Sequence, residues 1–126
     1  MIIFFNENFT KKNHHFDDRY EERVEMLNLD RKMQNIFDEN LKNLYLKAPR
    51  FDSLAYRILK LPRKKHYVDK QGEKFYGDEV WIIIKNGNLA TLLIRDSSRR
   101  QTSKSLNVKN IVYGSDDLKK LVIKKS

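Results

Sequence analysis

The sequence predicts an α+β fold, with two N-terminal helices packed on a twisted antiparallel sheet of three to five strands. Three observations predict it. Apolar residues recur at helical spacing up to Ala48-Pro49, and beyond it at a spacing of two. Residues 78–85, DEVWIIIK, form a run rich in β-branched and aromatic side chains. A second such run, LATLLIR at 89–95, follows the turn signal Asn86-Gly87-Asn88, whose Asn-Gly pair favours the positive φ angles of a tight hairpin.

The elements follow in order. MIIFF at the start reads as a short strand or an extended segment on the core. Thr10 or Asn13 is placed to N-cap a helix from about His14 to Leu27. Phe16, Tyr20, Val24 and Leu27 give that helix an apolar stripe, and Asp17 and Asp18 fall in its first turns, where the helix dipole favours acids. Asn28 or Asp30 opens a second helix over about 30–47, with Met33, Ile36, Phe37, Leu41, Leu44 and Tyr45 at helical spacing. Ala48-Pro49 ends it, because a residue before proline leaves the helical region.

AYRILKL at 55–61 alternates as a half-buried strand that Pro62 should stop, with RKKHY after it. HYVDKQGEKFYG at 66–77 reads as a loop or hairpin around Gly72. In the 78–95 hairpin, Trp81, Ile83 and one face of 89–94 should be buried against the helices. DSSRRQTSKS at 96–105 is a polar, basic loop, VKNIVY at 108–113 a last edge strand, and DDLKKLVIKK at 116–125 a capped short helix or a basic tail. All of this makes one domain over 1–126: a helical part at about 14–47, a sheet part at about 55–113, and the basic stretch 116–126. The helices would cover one face of the sheet and leave open another rich in Arg and Lys.

Composition narrows the function classes. Seven Phe, six Tyr and one Trp supply a real core, and the absence of cysteine removes disulfides and thiolate metal sites. The apolar start is too short for a secretion signal, and no run approaches the about 20 apolar residues of a membrane span. A soluble, cytoplasmic protein is expected. Residues 1–40 carry nine acids and six bases, a net −3, whereas 41–126 carry eight acids and 20 bases, a net +12, which together give the overall +9. The surplus exceeds what solubility requires and points to a polyanionic partner, RNA above all, held by phosphate neutralisation.

Several residues could act on a phosphodiester. His15, Arg19 and Arg23 stand four apart, so on a helix they stack along one face beside the apolar stripe. Cutting RNA without a metal requires a base for the 2′-OH proton, an acid for the 5′-oxygen and cations for the phosphorane. His15 and His66 are the candidate acid and base, with Arg19 and Arg23 as phosphorane-stabilising cations. His14 points about 100° away from His15 on a helix. The arginines could instead form ion pairs with Glu22, Asp18 or the second helix, and Glu22 could orient a histidine. Arg63, Lys64, Lys65, Arg95, Arg99 and Arg100 are candidate phosphate contacts, with Ser97, Ser98 and Thr102 as hydrogen-bond donors to phosphate. Tyr56, Tyr67 and Tyr76 could stack on a base.

No metal or other cofactor is expected. HExxH, an EF-hand loop, a Walker loop and GxGxxG are all missing, and His14-His15 with Asp17 or Asp18 is a conceivable ligand set. No membrane partner is expected, since no strongly amphipathic helix backs the basic stretch 119–125.

A helix with H-x3-R-x3-R, a second helix, then a sheet with an Asn-Gly turn and a strand ending in Arg with Ser/Thr after it resembles the small phage and toxin nucleases of the RelE-like, barnase-EndoU-colicin (BECR) superfamily. The nearest resemblance is to the RegB-type early-mRNA endoribonucleases of phages, over residues 13–112. There the carrying segments are HFDDRYEERV from His15, the strand pair GDEVWIIIKNGNLATLLIRDS, and His66 behind its Lys/Arg-rich segment. The resemblance implies a metal-independent endoribonuclease that cleaves by 2′-OH transesterification, in the host cytoplasm if the chain is phage-encoded. The lysine/tyrosine set of RelE-type members has no clean counterpart, so which histidine is acid and which is base stays open. Two alternatives share the residue pattern. One is a non-catalytic nucleic-acid-binding accessory protein. The other is an anti-defence module that binds a host protein, for which the acidic N-terminal third offers an interface.

Overall fold

The computed structural model describes residues 14–125, with side chains from Tyr20 to Leu121. The expected strand at 1–5 and the N-cap at Thr10 or Asn13 lie outside them. Helix α1 (His14–Leu27) and helix α2 (Arg31–Lys47) are followed by a 3-10 turn at Ala48–Arg50, strands β1 (Ser53–Val68), β2 (Lys74–Lys85), β3 (Asn88–Arg95) and β4 (Asn110–Val112), and helix α3 (Ser115–Lys125). The class is α+β, as the sequence predicts.

Local chemistry sets the helix ends. Asn28 takes φ 50° after α1, a left-handed position that asparagine tolerates. Asp30 N-caps α2, its carboxylate accepting from the Met33 N–H at 2.8 Å. Phe37, Leu41, Leu44 and Tyr45 then bury one stripe of α2. Proline at the start of the 3-10 turn cannot continue the α2 hydrogen-bond ladder.

The four strands lie in the order β3-β2-β1-β4. β2 and β3 meet at Asn86-Gly87 with φ 53° and 76°, the paired positive angles that the Asn-Gly signal calls for. β1 and β2 form a second hairpin. Its turn is closed by the Asp69 carboxylate, which accepts from the N–H groups of Gln71 at 3.0 Å and Glu73 at 2.8 Å, with Gly72 at φ +84°.

Three expectations are corrected. β1 does not stop at Pro62 but runs on to Val68, which puts His66 in a strand rather than in a loop. Between the pairs Lys60↔Glu79 and Lys65↔Gly77, the four residues Leu61–Lys64 face Asp78 alone. Proline sits in that bulge, where no ladder hydrogen bond is asked of it.

The sheet, secondly, is mixed rather than antiparallel throughout, because β4 pairs parallel to β1. β3 and β4 occupy opposite edges and point the same way, so the chain must return across a face of the sheet between them. Residues 96–109 make that crossing.

The crossing brings the third correction. Trp81 and Ile83 are buried, but not under the helices. They join Ala55 and Leu106 in a small core on the helix-free face, with Val108, Ile111 and Tyr113 packed around it. The helices cover the opposite face, where Tyr20, Phe37, Leu41 and Leu44 pack with Leu54, Tyr56, Val80, Ile82, Leu92 and Ile94. The helix-free face is therefore only partly open. Its open part lies at the end where β1 bulges.

The stretch at 116–125 is helical, with Asp116 and Asp117 in the first turn of α3 and Leu118 in the main core. Among the described residues, no helix is long and apolar enough to cross a membrane.

Candidate nucleic-acid interface

Strand alternation decides which side each candidate occupies. Arg23 on α1 is 4% exposed. It donates from a guanidinium nitrogen to the Leu92 carbonyl and lies 4.5 Å over the Phe75 ring. The buried stripe of α1 is thus wide enough to take in Arg23 beside Tyr20 and Leu27. This is an anchor between helix and sheet, not a cation turned to solvent. His15 and Arg19 share its stripe along α1, and their side chains lie outside the described ones. Glu22 accepts from the Gln71 side chain at 2.8 Å, a link to the β1–β2 turn.

On the other face, His66 and Tyr76 are direct cross-strand partners, their rings 4.5 Å apart and tilted by 40°. His66 is exposed and Tyr76 is 44% exposed. Tyr56 and Tyr67, the other two stacking candidates, are buried in the main core.

Arg95 at the end of β3 opposes Glu79, but Glu79 is otherwise engaged. It pairs with Arg57 at 2.9 Å and accepts from the Trp81 indole at 3.4 Å. The Nε of Arg95 is buried without a hydrogen-bond partner among the described residues. Arg95 lines an open cleft of about 480 Å³ together with Tyr76, Arg99, Arg100, Gln101 and Ser105. No carboxylate among the described residues pairs with Arg99 or Arg100, and both are exposed.

Two aspartates hold the loop that carries these arginines. Asp78 is 3% exposed and accepts from the Ser97 N–H at 2.9 Å, the Ser97 hydroxyl at 2.6 Å and the Lys60 ammonium. Burial pushes its carboxyl up, but the donors from Lys60 and Ser97 outweigh it and leave the group at about 2. Asp96 accepts from the Ser98 N–H at 2.9 Å and hydroxyl at 2.6 Å, and pairs with Lys64 at 2.9 Å. The Ser98 hydroxyl and the Lys64 ammonium hold it well below the usual carboxylate range. Lysines of β1 thereby anchor two successive positions of the crossing segment, just ahead of Arg99-Arg100.

Gly77 fits the same corner. A Cβ there would stand 2.1 Å from the Arg95 carbonyl oxygen, so only glycine lets β2 and β3 come this close.

The remaining candidates separate. Arg63 and Lys65 line a groove of about 260 Å³ with Leu27, Met33, Pro62 and Tyr67, on the helix side. Lys64 points the other way, to Asp96 and Ser98. Alternation along β1 thus splits the basic cluster between two faces. Ser97 gives both its N–H and its hydroxyl to Asp78. Thr102 closes a turn in which its hydroxyl accepts from the Ser105 N–H at 3.0 Å.

Glu79, Asp78, Lys60, Gln101 and Ser105 also shape this corner, although no motif in the sequence marks them. The Asp-Ser-Ser run after a strand is a turn signal that points to the loop clamp, but nothing local marks Asp78, whose partner lies 19 residues on. Among the described residues, no group of three or more His, Asp or Glu side chains is gathered to hold a metal. The ligand set around His14 and His15 lies outside the described side chains.

No protein-family model, no curated protein and no solved structure matches the chain.

Proposed function

We propose that the protein is an RNA-binding, metal-independent endoribonuclease of the BECR kind that works on the helix-free face of the sheet. The observation that carries this reading is the cleft in which Arg95, Arg99 and Arg100 gather beside the exposed His66–Tyr76 pair. The arginines take the scissile phosphate and its neighbour. The ribose 2′-OH attacks phosphorus as its proton passes to a base, and the 5′-oxygen leaves as an acid protonates it. That closes a 2′,3′-cyclic phosphate and frees a 5′-hydroxyl. His66, packed against Tyr76 of the cleft wall, serves as the acid or the base. The guanidiniums stabilise the doubly charged phosphorane.

The test is incubation of pure protein with end-labelled RNA in EDTA, followed by analysis of the product ends. Cyclic phosphate ends are expected, and DNA should bind but survive because it lacks the 2′-OH. His66→Ala should lower the rate by about 10²–10⁴. Cleavage that requires Mg²⁺, or leaves other ends, overturns the mechanism.

A second reading is RNA binding without cleavage. One observation favours it: among the described residues no histidine lines the cleft, and His66 adjoins it only through Tyr76, whereas transesterification needs two proton-handling groups. Salt-sensitive RNA binding with no cleavage of varied RNAs would select it.

A further inference from the structure

We infer that the cleft takes single-stranded RNA with one unstacked base on Tyr76, and that duplex RNA is held only by its phosphates. This deepens the proposed function and rests on its RNA-binding part, not on cleavage.

Three observations lead here. Tyr76 is a wall of the arginine cleft and also the partner of His66, so one residue joins the ring platform to the cation cluster. Its ring packs beside that of His66, 4.5 Å away and tilted by 40°, and Tyr76 stays 44% exposed. An aromatic fixed by a cross-strand neighbour loses little freedom when a base lies on it, and the π face accepts any base.

The third observation is Arg95. Its Nε is buried and unpartnered, and Glu79, which faces it across the strands, is held by Arg57. The Arg95 guanidinium therefore lines the cleft without a carboxylate partner among the described residues, and a phosphate oxygen entering the cleft can accept from it. Arg99 and Arg100 then reach the next phosphate along the strand.

The arrangement discriminates by shape. A base in a duplex is stacked on both sides and paired at its edge, so it cannot lie on Tyr76 unless it is extruded at a cost of a few kcal/mol. A single strand has no pairing to break and pays far less. Duplex RNA should therefore meet the arginines but not the ring.

Binding is best measured by fluorescence anisotropy with labelled 2′-O-methyl RNA of about 10 nucleotides, which cannot be cut through its own 2′-oxygen. The same strand annealed to its complement is the duplex probe. The single strand should bind at least about 5-fold more tightly than the duplex. Tyr76→Ala should weaken the single strand by about 5- to 100-fold and leave the duplex unchanged, whereas Tyr76→Phe should keep wild-type affinity. Arg99→Ala should weaken both.

Equal binding of the two probes overturns the inference. So does loss of affinity for both probes alike in Tyr76→Ala. In either case the RNA-binding reading stands. Failure of both probes to bind in a salt-sensitive way overturns that reading and the inference with it.

Discussion

The Arg23 guanidinium and the His66 imidazole lie on opposite faces of the sheet, because each rests on one of two adjacent residues of β2. Arg23 sits 4.5 Å over Phe75, and His66 lies 4.5 Å from Tyr76. Neighbouring strand residues point to opposite sides. Arg23 and His66 therefore cannot share one phosphate.

Arg23 consequently belongs to the stability of the fold. Arg23→Ala leaves the Leu92 carbonyl without its donor and strips the cation from Phe75. The expected cost is about 1–3 kcal/mol, seen as a lower midpoint in urea unfolding. RNA affinity of the folded fraction and its salt dependence should stay as in the wild type. A variant as stable as wild type with impaired RNA binding would return Arg23 to the functional site.

Gly77 permits the corner on which the cleft is built. Gly77→Ala places a Cβ against the Arg95 carbonyl backbone, which no side-chain rotation can relieve. Destabilisation of at least about 1–3 kcal/mol is expected by chemical denaturation. Gly72→Ala is the control. It has open space around its Cβ and pays only for its φ of +84°, so it should cost less.

Much of this fold was legible in the sequence. Both N-terminal helices, the cap at Asp30 and the Asn86-Gly87 hairpin follow from local spacing and turn chemistry. What was not legible is long-range. Pro62 reads as a strand end, and only the bulge opposite Asp78 lets β1 continue. Trp81 reads as core, but the side it faces depends on a crossing segment that is itself polar and shows no period. The candidate site divides for the same reason. Arg63, Lys64 and Lys65 are one cluster in sequence, and the two-residue period of the strand sends them apart. Arg95, Arg99 and Arg100 stay together because they flank the corner where a strand becomes a loop.

Asp78 makes the fold sensitive to acid. Its carboxyl is held at about 2, down from an ordinary value of 3.8. The stabilisation is therefore fully present above about pH 4, and it disappears as pH falls through about 2 and the carboxylate is protonated. It amounts to at most about 2 kcal/mol. Asp78→Asn should be less stable than wild type at pH 7, and the gap should close as pH is lowered toward 2. Unfolding free energies measured by urea titration across that range check the sign. A gap that widens in acid would mean that the carboxylate is not the stabilising form. Because Asp78 holds Ser97 ahead of Arg99, the same variant should also bind RNA more weakly at pH 7.

The division of the basic residues predicts which of them RNA feels. Arg99 and Arg100 are exposed at the cleft without a carboxylate partner among the described residues, whereas Arg63 and Lys65 line the groove on the helix side. Each phosphate contact releases counterions on binding, so each contributes about one unit to the log–log dependence of affinity on salt. Arg99→Ala and Arg100→Ala should each reduce that slope by about one and weaken all RNA sequences alike. Arg63→Ala and Lys65→Ala should leave the slope within error of wild type, although they remove the same charge from the protein. Lys64→Ala should act differently again, through the release of Asp96, whose freed carboxylate then repels phosphate at the cleft. Lys64→Ala with Asp96→Asn should recover most of that loss. Equal slopes for the variants on both faces would show that binding follows net charge rather than the cleft.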